Sequence, residues 1–391
     1  MKKLLITGGS HAELPVIEAA KNMGWYVIST GMNEGGQGHL AADKYMKGDF
    51  SDKEFVYELA KSESVDAIVS GANDFAYLST AYACEKLYLP GHDSLEVARK
   101  IHIKSEFRKL TALLGIKSPK MIECRDFNVC KQAAEEIGFP LMVKPVDLTG
   151  GKGVKTCFSL SDVELSFDEA MGVTRELYII LEECIQGSCH GFTSLIKDGQ
   201  VVWHMVDNEQ YGANKYLVLG ACSPSDVPQQ AEFTLINDVE KIAKHCKLVD
   251  GLFHVQFILD KDNYPVMIDP CRRMPGDLYI LLAKYVTGVD YPLEILKAEC
   301  GMELASSYSQ QHNFIARECI MTEKAGIFKA VHIEEELKKY IVYQNMFYQI
   351  GEEITDPLKY KAGILIMRFD SCDEMKNVLQ RFSELAWIEI A

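Results

Sequence analysis

A lysine at the end of an apolar run precedes a cluster of glycines in the segment GFPLMVKPVDLTGGKGVKTCFSL, residues 138–160. Lys144 lies at the end of an apolar run that predicts a buried strand, and a buried ammonium group is costly without an anionic partner. The TGGKGV that follows allows backbone N–H groups to approach an anion closely, because glycine has no Cβ to obstruct it. Together they indicate a phosphate grip, and the alternative is a β-hairpin whose lysine reaches solvent along the surface.

Two better-known nucleotide motifs do not occur in the sequence. The P-loop pattern G-x-x-x-x-G-K-[ST] is absent, and TGGSHAEL near the N-terminus lacks the third glycine of G-x-G-x-x-G. A nicotinamide-dependent dehydrogenase is therefore disfavoured.

The composition is that of a folded protein with two or three domains. The 391 residues are 48% hydrophobic and 25% charged, and the formal net charge of −15 argues against nucleic acid or an anionic membrane as a partner. The twelve cysteines are scattered without a C-x-x-C pair, which predicts reduced thiols and a cytoplasmic location. The sequence shows no signal peptide and no run of about 18 apolar residues, so no membrane span is expected.

Strands alternate with helices over roughly the first 95 residues, a pattern typical of a parallel, doubly wound sheet. Ligands of such sheets bind at the carboxyl ends of the strands. Small and polar residues that follow these ends predict a crevice, with helix capping as the alternative. They are Gly8, Gly9, Ser10, Ser70, Asn73 and Asp74.

The remainder of the chain predicts a mixed α+β arrangement. Residues 96–120 form a basic helical region, and the usual explanation for such a run is a solvated face. Residues 250–300 contain two strands, LFHVQFIL and YPVMIDP, joined by the turn DKDN. His254 and Gln256 are two residues apart on the first of these strands and should face the same side of the sheet.

The order and spacing of these segments resemble the ATP-grasp superfamily, most closely its carbamoyl-phosphate-synthase-like and purine-carboxylase-like branch. The segments that carry the resemblance are EVARKIHIKSEFRKLTALLGIKSP, GFPLMVKPVDLTGGKGV, YIILEECIQG, FHVQFILDKDNYPVMIDPCRRMPGD and VTGVDYPLEILKAECG. The resemblance implies an α/β and α+β fold with a Rossmann-like domain at 1–95, an ATP-grasp region at 96–305 and a C-terminal α+β part at 306–391. The ATP-grasp region would comprise a linker helix, a small lobe at about 121–183 and a large lobe at about 184–305.

The same resemblance implies a nucleotide site. The ATP phosphates would lie against Lys104, Lys144, Gly150, Gly151 and Gly153. Adenine and ribose would lie against the hinge that follows: the side chain of Glu182, the backbone of Glu183, Cys184 and Ile185, and His190 in place of a ribose-binding glutamate that is Cys189 here.

A metal and a substrate site are implied next to the nucleotide. Gln256 and Asp269 would hold Mg²⁺, while Cys271 stands where relatives carry an asparagine and is a poor Mg²⁺ ligand. Arg273 would hold the reacting carboxyl or acyl-phosphate oxygens, because a guanidinium fork binds two oxygens at once. Further candidates for substrate contact are Gly9, Ser10, Asn73 and His254.

The activity implied is that of an ADP-forming ligase, which joins a small carboxylate to an amine through an acyl phosphate. One alternative is a bicarbonate-activating carboxylase of the purine-pathway type. Another is a nucleotide-binding protein without catalysis, which Asp269 and Cys271 would permit. The expected cofactors are ATP and Mg²⁺, and the expected partners are small-molecule carboxylates and amines, with a homodimer as a compatible assembly.

Overall fold

The computed structural model describes residues 1–148 and 150–391, and the elements in these ranges form four sheets with helices packed against them. No described helix combines the length and the apolar character that crossing a membrane requires.

The first sheet is parallel, in the order β3-β2-β1-β4, with helices between its strands. Its central strands are apolar and buried, as expected where helices cover both faces. The elements are β1 (Lys3–Thr7), α1 (Leu14–Asn22), β2 (Tyr26–Gly31), α2 (Gln37–Ala41), β3 (Lys44–Lys47), α3 (Lys53–Glu63), β4 (Ala67–Ser70) and α4 (Asp74–Leu87).

The basic helical region is two helices, α5 (Leu95–His102) and α6 (Lys104–Leu113). Ile103 separates them in an extended conformation, with φ −89° and ψ 117°. This break places Lys104 at the first turn of α6, and Lys104 is buried.

The second sheet is antiparallel, in the order β5-β8-β6-β7, and two helices cover one face of it. Asp126 and Ser159 cap these helices with their side chains, and Ser159 forms a complete capping box with Asp162. The elements are β5 (Met121–Cys124), α7 (Phe127–Ile137), β6 (Leu141–Pro145), β7 (Lys155–Cys157), α8 (Leu160–Val173) and β8 (Ile179–Glu183).

The largest sheet has eight strands in the order β13-β12-β9-β10-β11-β14-β18-β16, all of them antiparallel to their neighbours. Its first part comprises β9 (Gly187–Lys197), β10 (Gln200–Tyr211), β11 (Val218–Ser223), α9 (Gln229–Cys246), β12 (Gly251–Asp260), β13 (Pro265–Cys271), α10 (Tyr279–Thr287) and α11 (Tyr291–Glu299).

The rest of the chain completes this sheet and adds a small sheet in the order β17-β15-β19. The elements are β14 (Phe314–Met321), β15 (Gly326–Ile333), α12 (Glu335–Lys338), β16 (Ile341–Met346), β17 (Glu353–Ile354), β18 (Lys361–Phe369), α13 (Cys372–Gln380), α14 (Phe382–Leu385) and β19 (Ala386–Ile390).

One hydrophobic core joins the first sheet to the largest one. It contains Leu4 and Ile6 of β1, Leu282 of α10, Ile295 of α11 and Ile364 of β18, all of them fully buried. The helices α10 and α11 therefore fix the parallel sheet relative to the strands that carry the polar side chains described next.

Candidate active site

A cavity of about 380 Å³ lies between the second sheet, β5-β8-β6-β7, and the eight-stranded sheet. Its size suits a small-molecule ligand. The structure brings eight of the predicted site residues to its wall: Lys104, Lys144, Gly150, Gly151, His254, Gln256, Asp269 and Arg273. These residues come from four different parts of the chain.

The two predicted phosphate lysines are both buried and both paired. Lys104 Nζ donates to the carbonyl of Leu148 at 3.0 Å and lies 3.2 Å from Asp269 Oδ1. Lys144 Nζ lies 2.7 Å from Glu182 Oε2. A buried lysine at the end of this strand is therefore tolerated, because each of the two ammonium groups has an anion beside it.

Glu182 on β8 does not line the cavity, but its carboxylate pairs with Lys144, which does. Glu182 is fully buried, with Arg108 Nε 2.8 Å from Oε1 and Lys144 Nζ close to Oε2. Burial would raise the pKa of Glu182, but Arg108 and Lys144 outweigh it and lower that pKa below its usual value. The carboxylate stays charged and fixes Lys144 at the edge of the cavity.

The other predicted adenine residues lie beyond the cavity wall. Glu183 ends β8, and its N–H donates to the carbonyl of Lys120 at 2.9 Å. Cys184 and Ile185 follow in the link between β8 and β9. Gly153 also lies outside the lining, against Pro145. Their roles in base and loop contacts stay predictions.

The glycine loop needs glycine for its backbone conformation. Gly150 and Gly151 have φ of +67° and +70°, a region that residues with a Cβ enter at a cost. A Cβ on Gly151 would also lie 2.5 Å from the backbone oxygen of Tyr216. Thr149, which begins the loop motif, lies outside the described residues.

Replacing Gly151 with alanine should lower the free energy of unfolding by at least about 1 kcal/mol, the cost of a left-handed residue that carries a Cβ. Gly172→Ala is the matched control, because Gly172 lies in α8, has no positive φ, and would place an added methyl group with nothing within 4 Å of it. That control should be neutral or slightly stabilising. Denaturant unfolding of both variants tests this, and equal stabilities would contradict it.

Gln256 and Asp269, the two predicted Mg²⁺ ligands, face each other across the β12–β13 pair. Gln256 Nε2 donates to Glu209 Oε1 at 2.6 Å, which leaves the amide oxygen as the atom available to a cation. No described residue donates a hydrogen bond to Asp269 Oδ1, although Lys104 is at ion-pair distance. Burial opposes ionisation of Asp269, but Lys104 and Lys144 lower its pKa. An amide oxygen and an under-coordinated carboxylate fit Mg²⁺.

Cys271 adds nothing to such a site. Burial raises the pKa of its thiol to about 11, so it stays protonated at neutral pH and is not a thiolate ligand. Among the described residues there is no group of three or more His, Cys, Asp or Glu side chains arranged to hold a metal. The predicted Mg²⁺ ligands are therefore Gln256 and Asp269 alone.

Arg273 lies at the cavity wall beside Asp74. Its Nε donates to Asp74 Oδ1 at 2.9 Å and its Nη1 to the carbonyl of Met274 at 3.1 Å, which leaves Nη2 for a ligand. His102 Nδ1 lies 3.0 Å from the same Asp74 oxygen. Burial would raise the pKa of Asp74, but Arg273 and His102 hold it well below its usual range. Asp74 thus serves as the charged anchor that orients Arg273.

The two predicted histidines are placed differently. His254 lines the cavity as expected, packs edge-on against Tyr279, and has a pKa lowered to about 3 by burial and by Arg273. His190 lies outside the lining, with Nε2 2.6 Å from Ser188 Oγ and Nδ1 3.2 Å from the carbonyl of Asp207. Alternation along β9 turns it away from the side that Cys189 faces, which argues against the ribose contact predicted for it.

The predicted substrate residues of the first sheet also lie outside the lining and have local partners. Ser10 donates to Glu13 Oε2 at 2.6 Å, and Asn73 caps α4 by accepting from the N–H of Phe75 at 2.9 Å. The carbonyl of Gly9 accepts from the N–H of His39 at 3.0 Å. The helix-capping alternative accounts for Asn73, while Ser10 is held by Glu13 ahead of α1.

Glu209 and Arg317 are charged cavity residues that had no part in the sequence interpretation. Glu209 on β10 accepts from Gln256 and, at 2.6 Å, from the hydroxyl of Tyr211. Arg317 on β14 is 2% exposed and lines the same cavity. Glu209 stands in the polar stretch DNEQ and Arg317 stands beside Glu318, so no local pattern marked either of them as a cavity residue.

Residues 104–307, just over half of the chain, match the family described as carbamoyl-phosphate synthase L chain, ATP binding domain. The chain belongs to this ATP-grasp family. The resemblance recognised in the sequence is thereby confirmed.

Similar proteins extend the match beyond that region. The chain is 26% identical over 182 residues to the C-terminal section of the carbamoyl phosphate synthase large chain of Methanopyrus kandleri, covering 46% of this chain and 33% of that protein. It is 28% identical over 305 residues to the phosphoribosylamine–glycine ligase of Pyrococcus furiosus, covering 71% of this chain and 67% of that protein. This ATP-grasp chain thus spans only a third of the length of the Methanopyrus relative.

A solved structure shows the same fold over the whole chain. The L-amino acid ligase of Bacillus licheniformis superposes with a TM-score of 0.85 at 18% sequence identity, covering 100% of this chain and 99% of that one. The predicted fold class, α/β and α+β with an ATP-grasp core, is confirmed.

Proposed function

We propose that the protein is an ATP-dependent ligase that joins a small carboxylate to an amine through an acyl phosphate. The observation that carries the proposal is the placement of Lys104, Lys144, Asp269 and Arg273 on one cavity in a chain of the ATP-grasp family. The proposal keeps the division into residues 1–95, 96–305 and 306–391.

The charges around Lys104 and Lys144 suit a nucleoside triphosphate. Lys104, Lys144 and Arg108 bring three cations to a region where Glu182 and Asp269 supply two carboxylates. One positive charge is left over, in a chain whose formal net charge is −15. ATP phosphates are the proposed counter-charge, and bound Mg²⁺, held by Gln256 and Asp269, would neutralise a further part of the phosphate charge.

The reaction needs little covalent chemistry from the protein. A carboxylate oxygen attacks the γ-phosphorus, ADP leaves, and an acyl phosphate forms. The amine nitrogen then attacks the acyl carbon, the C–N bond forms, the C–O bond to phosphate breaks, and the amine loses a proton. Arg273 would orient the carboxylate through its unengaged Nη2, while the lysines hold the phosphates in line.

The segment between β10 and β11 would keep water from this reaction. Tyr216 lines the cavity, and its hydroxyl donates to Thr156 Oγ1 at 2.9 Å and accepts from the N–H of Thr156 at 2.8 Å. This contact ties the largest sheet to the sheet that carries the glycine loop, across the cavity between them. Exclusion of water matters because an acyl phosphate hydrolyses readily.

Replacing Asp269 with asparagine should raise the Mg²⁺ concentration needed for half-maximal ADP formation, because it removes the charged oxygen of the proposed Mg²⁺ site. Cys271→Asn is the comparison, since an amide oxygen is a harder ligand than sulfur, and it should leave that concentration unchanged or lower it. A Mg²⁺ titration of ADP release measures both. An unchanged requirement in the Asp269 variant would contradict the assignment.

The test of the function is ADP release with a pool of metabolite carboxylates, ATP, Mg²⁺ and hydroxylamine, which traps an acyl phosphate as a hydroxamate. Hydroxamate formation together with ADP supports the ligase. Stimulation by bicarbonate alone would favour a carboxylase. ATP binding with no stimulated ADP release would favour a nucleotide-binding protein without catalysis.

A further inference from the structure

Arg317 is a buried cation without a carboxylate partner among the described residues. It is 2% exposed, and its Nη1 donates to the carbonyl of Asp277 at 3.3 Å and to the sulfur of Cys319 at 3.4 Å. Its Nε has no hydrogen-bond partner in the part of the chain that the structure describes. Burying a charge in this way is costly unless an anion completes the site.

The other buried arginines of the described chain are compensated. Arg108 lies 2.8 Å from Glu182, Arg272 lies 2.9 Å from Asp93, and Arg273 lies 2.9 Å from Asp74. Within 4 Å of the Arg317 guanidinium, no described carboxylate forms such a pair. Arg317 therefore differs from these three arginines in having no carboxylate partner among the described residues.

The acidic residue that Arg317 contacts is committed to other cations. Asp277 turns its carbonyl to Arg317, while its carboxylate pairs with Lys361 and lies 3.7 Å from His11 Nε2. Asp277 and Leu278 both have left-handed backbones, with φ of +53° and +57°, a conformation that is costly for residues with a Cβ. The backbone just before α10 therefore turns the carbonyl of Asp277 toward Arg317, and not its carboxylate.

An acidic side chain shares the cavity with this uncompensated arginine. Arg317 and Glu209 both line it, and the two oxygens of Glu209 already accept from Gln256 and from Tyr211. Arg317 thus remains open to an anion from a ligand. Arg273 is a separate cation on the same wall, and the proposed reaction assigns it to the carboxylate that becomes phosphorylated.

We propose that Arg317 forms a second anion subsite, which holds the non-reacting carboxylate of the amine substrate, so that the acceptor is an amino acid. The inference rests on the proposed function, because it names the substrate class of that same cavity. A second carboxylate on the donor acid has the same chemistry, and the experiment separates the two sources.

The first measurement uses the unmodified protein. With ATP, Mg²⁺ and a fixed pool of carboxylate donors, the acceptor is varied among the L-α-amino acids, their primary amides and the corresponding decarboxylated amines. Amino acids should stimulate ADP release, and at least one should do so about 10- to 150-fold more effectively in kcat/KM than its amide, the range of a charge-assisted hydrogen bond. Equal stimulation by amides would overturn the inference while leaving the ligase intact.

The second measurement uses Arg317→Gln, with the exposed Arg368→Gln on β18 as its matched control. Arg317→Gln should raise the KM for the amino acid about 10-fold or more and leave the KM for ATP within about 3-fold, and Arg317→Lys should recover part of the loss. A changed KM for the donor instead would place the carboxylate on the donor and overturn the assignment to the acceptor. If neither KM changes, Arg317 is structural.

Calorimetry separates failure of this inference from failure of the proposed function. If no carboxylate stimulates ADP release, the ligase proposal fails, and the subsite is then tested by titrating amino acids and their amides into the protein with ADP. Binding of the acids but not the amides supports the subsite, and no binding of either overturns it. If Arg317→Gln does not fold, the comparison of acid with amide on the unmodified protein decides.

Discussion

Replacing Arg273 with lysine should lower kcat by roughly 100-fold or more, while the affinity for ATP changes little. Lysine keeps the positive charge, but it loses the fork that holds Asp74 through Nε and leaves Nη2 for the substrate. The contact to the reacting oxygens should strengthen as the acyl phosphate forms, so the loss falls on kcat. Steady-state ADP release and calorimetric titration of ATP provide the two measurements.

The neighbouring arginine supplies the control. Arg272 points into the core, where Nε lies 2.9 Å from Asp93 Oδ2 and Nη2 donates to the carbonyl of Val249 at 2.6 Å. Arg272→Lys should lower the unfolding temperature more than Arg273→Lys does, and should reduce kcat less in the folded protein. A similar kcat loss in both variants would show that Arg273 acts through the fold and not on the substrate.

Lys144 is the cavity residue that a local pattern could predict, because it stands beside a glycine loop. Gln256 and Asp269 were implied by the family resemblance, and the two strands that flank one turn set them opposite each other. A strand pattern fixes the face of each side chain, and a short turn fixes the register of a hairpin. Local patterns of this kind also specified the alternating strands and helices of the first sheet.

Residues without a local signal could not be placed in advance. Glu209 and Arg317 lie on β10 and β14, which become neighbours of the same cavity only through the order of the eight-stranded sheet. The residue pattern alone made Lys104 part of a basic run whose usual explanation is a solvated face, and only the family resemblance indicated a phosphate contact. Lys104 is buried, because Ile103 breaks the helix there. Pairings between distant strands and breaks of this kind are decided by tertiary packing.

The group formed by Arg108, Glu182 and Lys144 predicts very different losses of stability for two substitutions. Glu182 is fully buried between the two cations. Removal of Glu182 leaves two buried cations without their shared anion. Removal of Lys144 leaves Arg108 and Glu182 as a neutral pair, with Arg108 Nη1 still donating to the carbonyl of Ile268 at 2.7 Å.

Glu182→Gln should therefore destabilise the fold by about 3–5 kcal/mol, the usual cost of breaking a buried ion pair from one side. Lys144→Ala should leave the unfolding temperature much closer to that of the unmodified protein. Thermal unfolding of the two variants tests the charge argument independently of any ligand, and the reverse order of stabilities would contradict it.

Lys144→Ala should weaken ATP binding by about 1.5–3 kcal/mol, the range of a charge-assisted hydrogen bond, which corresponds to a loss of roughly 10- to 150-fold in affinity. The loss arises because the positive charge left over beside Glu182 and Asp269 is the charge that the phosphates would meet, and alanine removes it. Lys155→Ala is the matched control, since Lys155 lies on β7 of the same sheet with its side chain about half exposed and paired only with Glu169 among the described residues. Calorimetric titration of ATP in the presence of Mg²⁺ should separate the two variants, and equal affinities would place the phosphates elsewhere in the cavity.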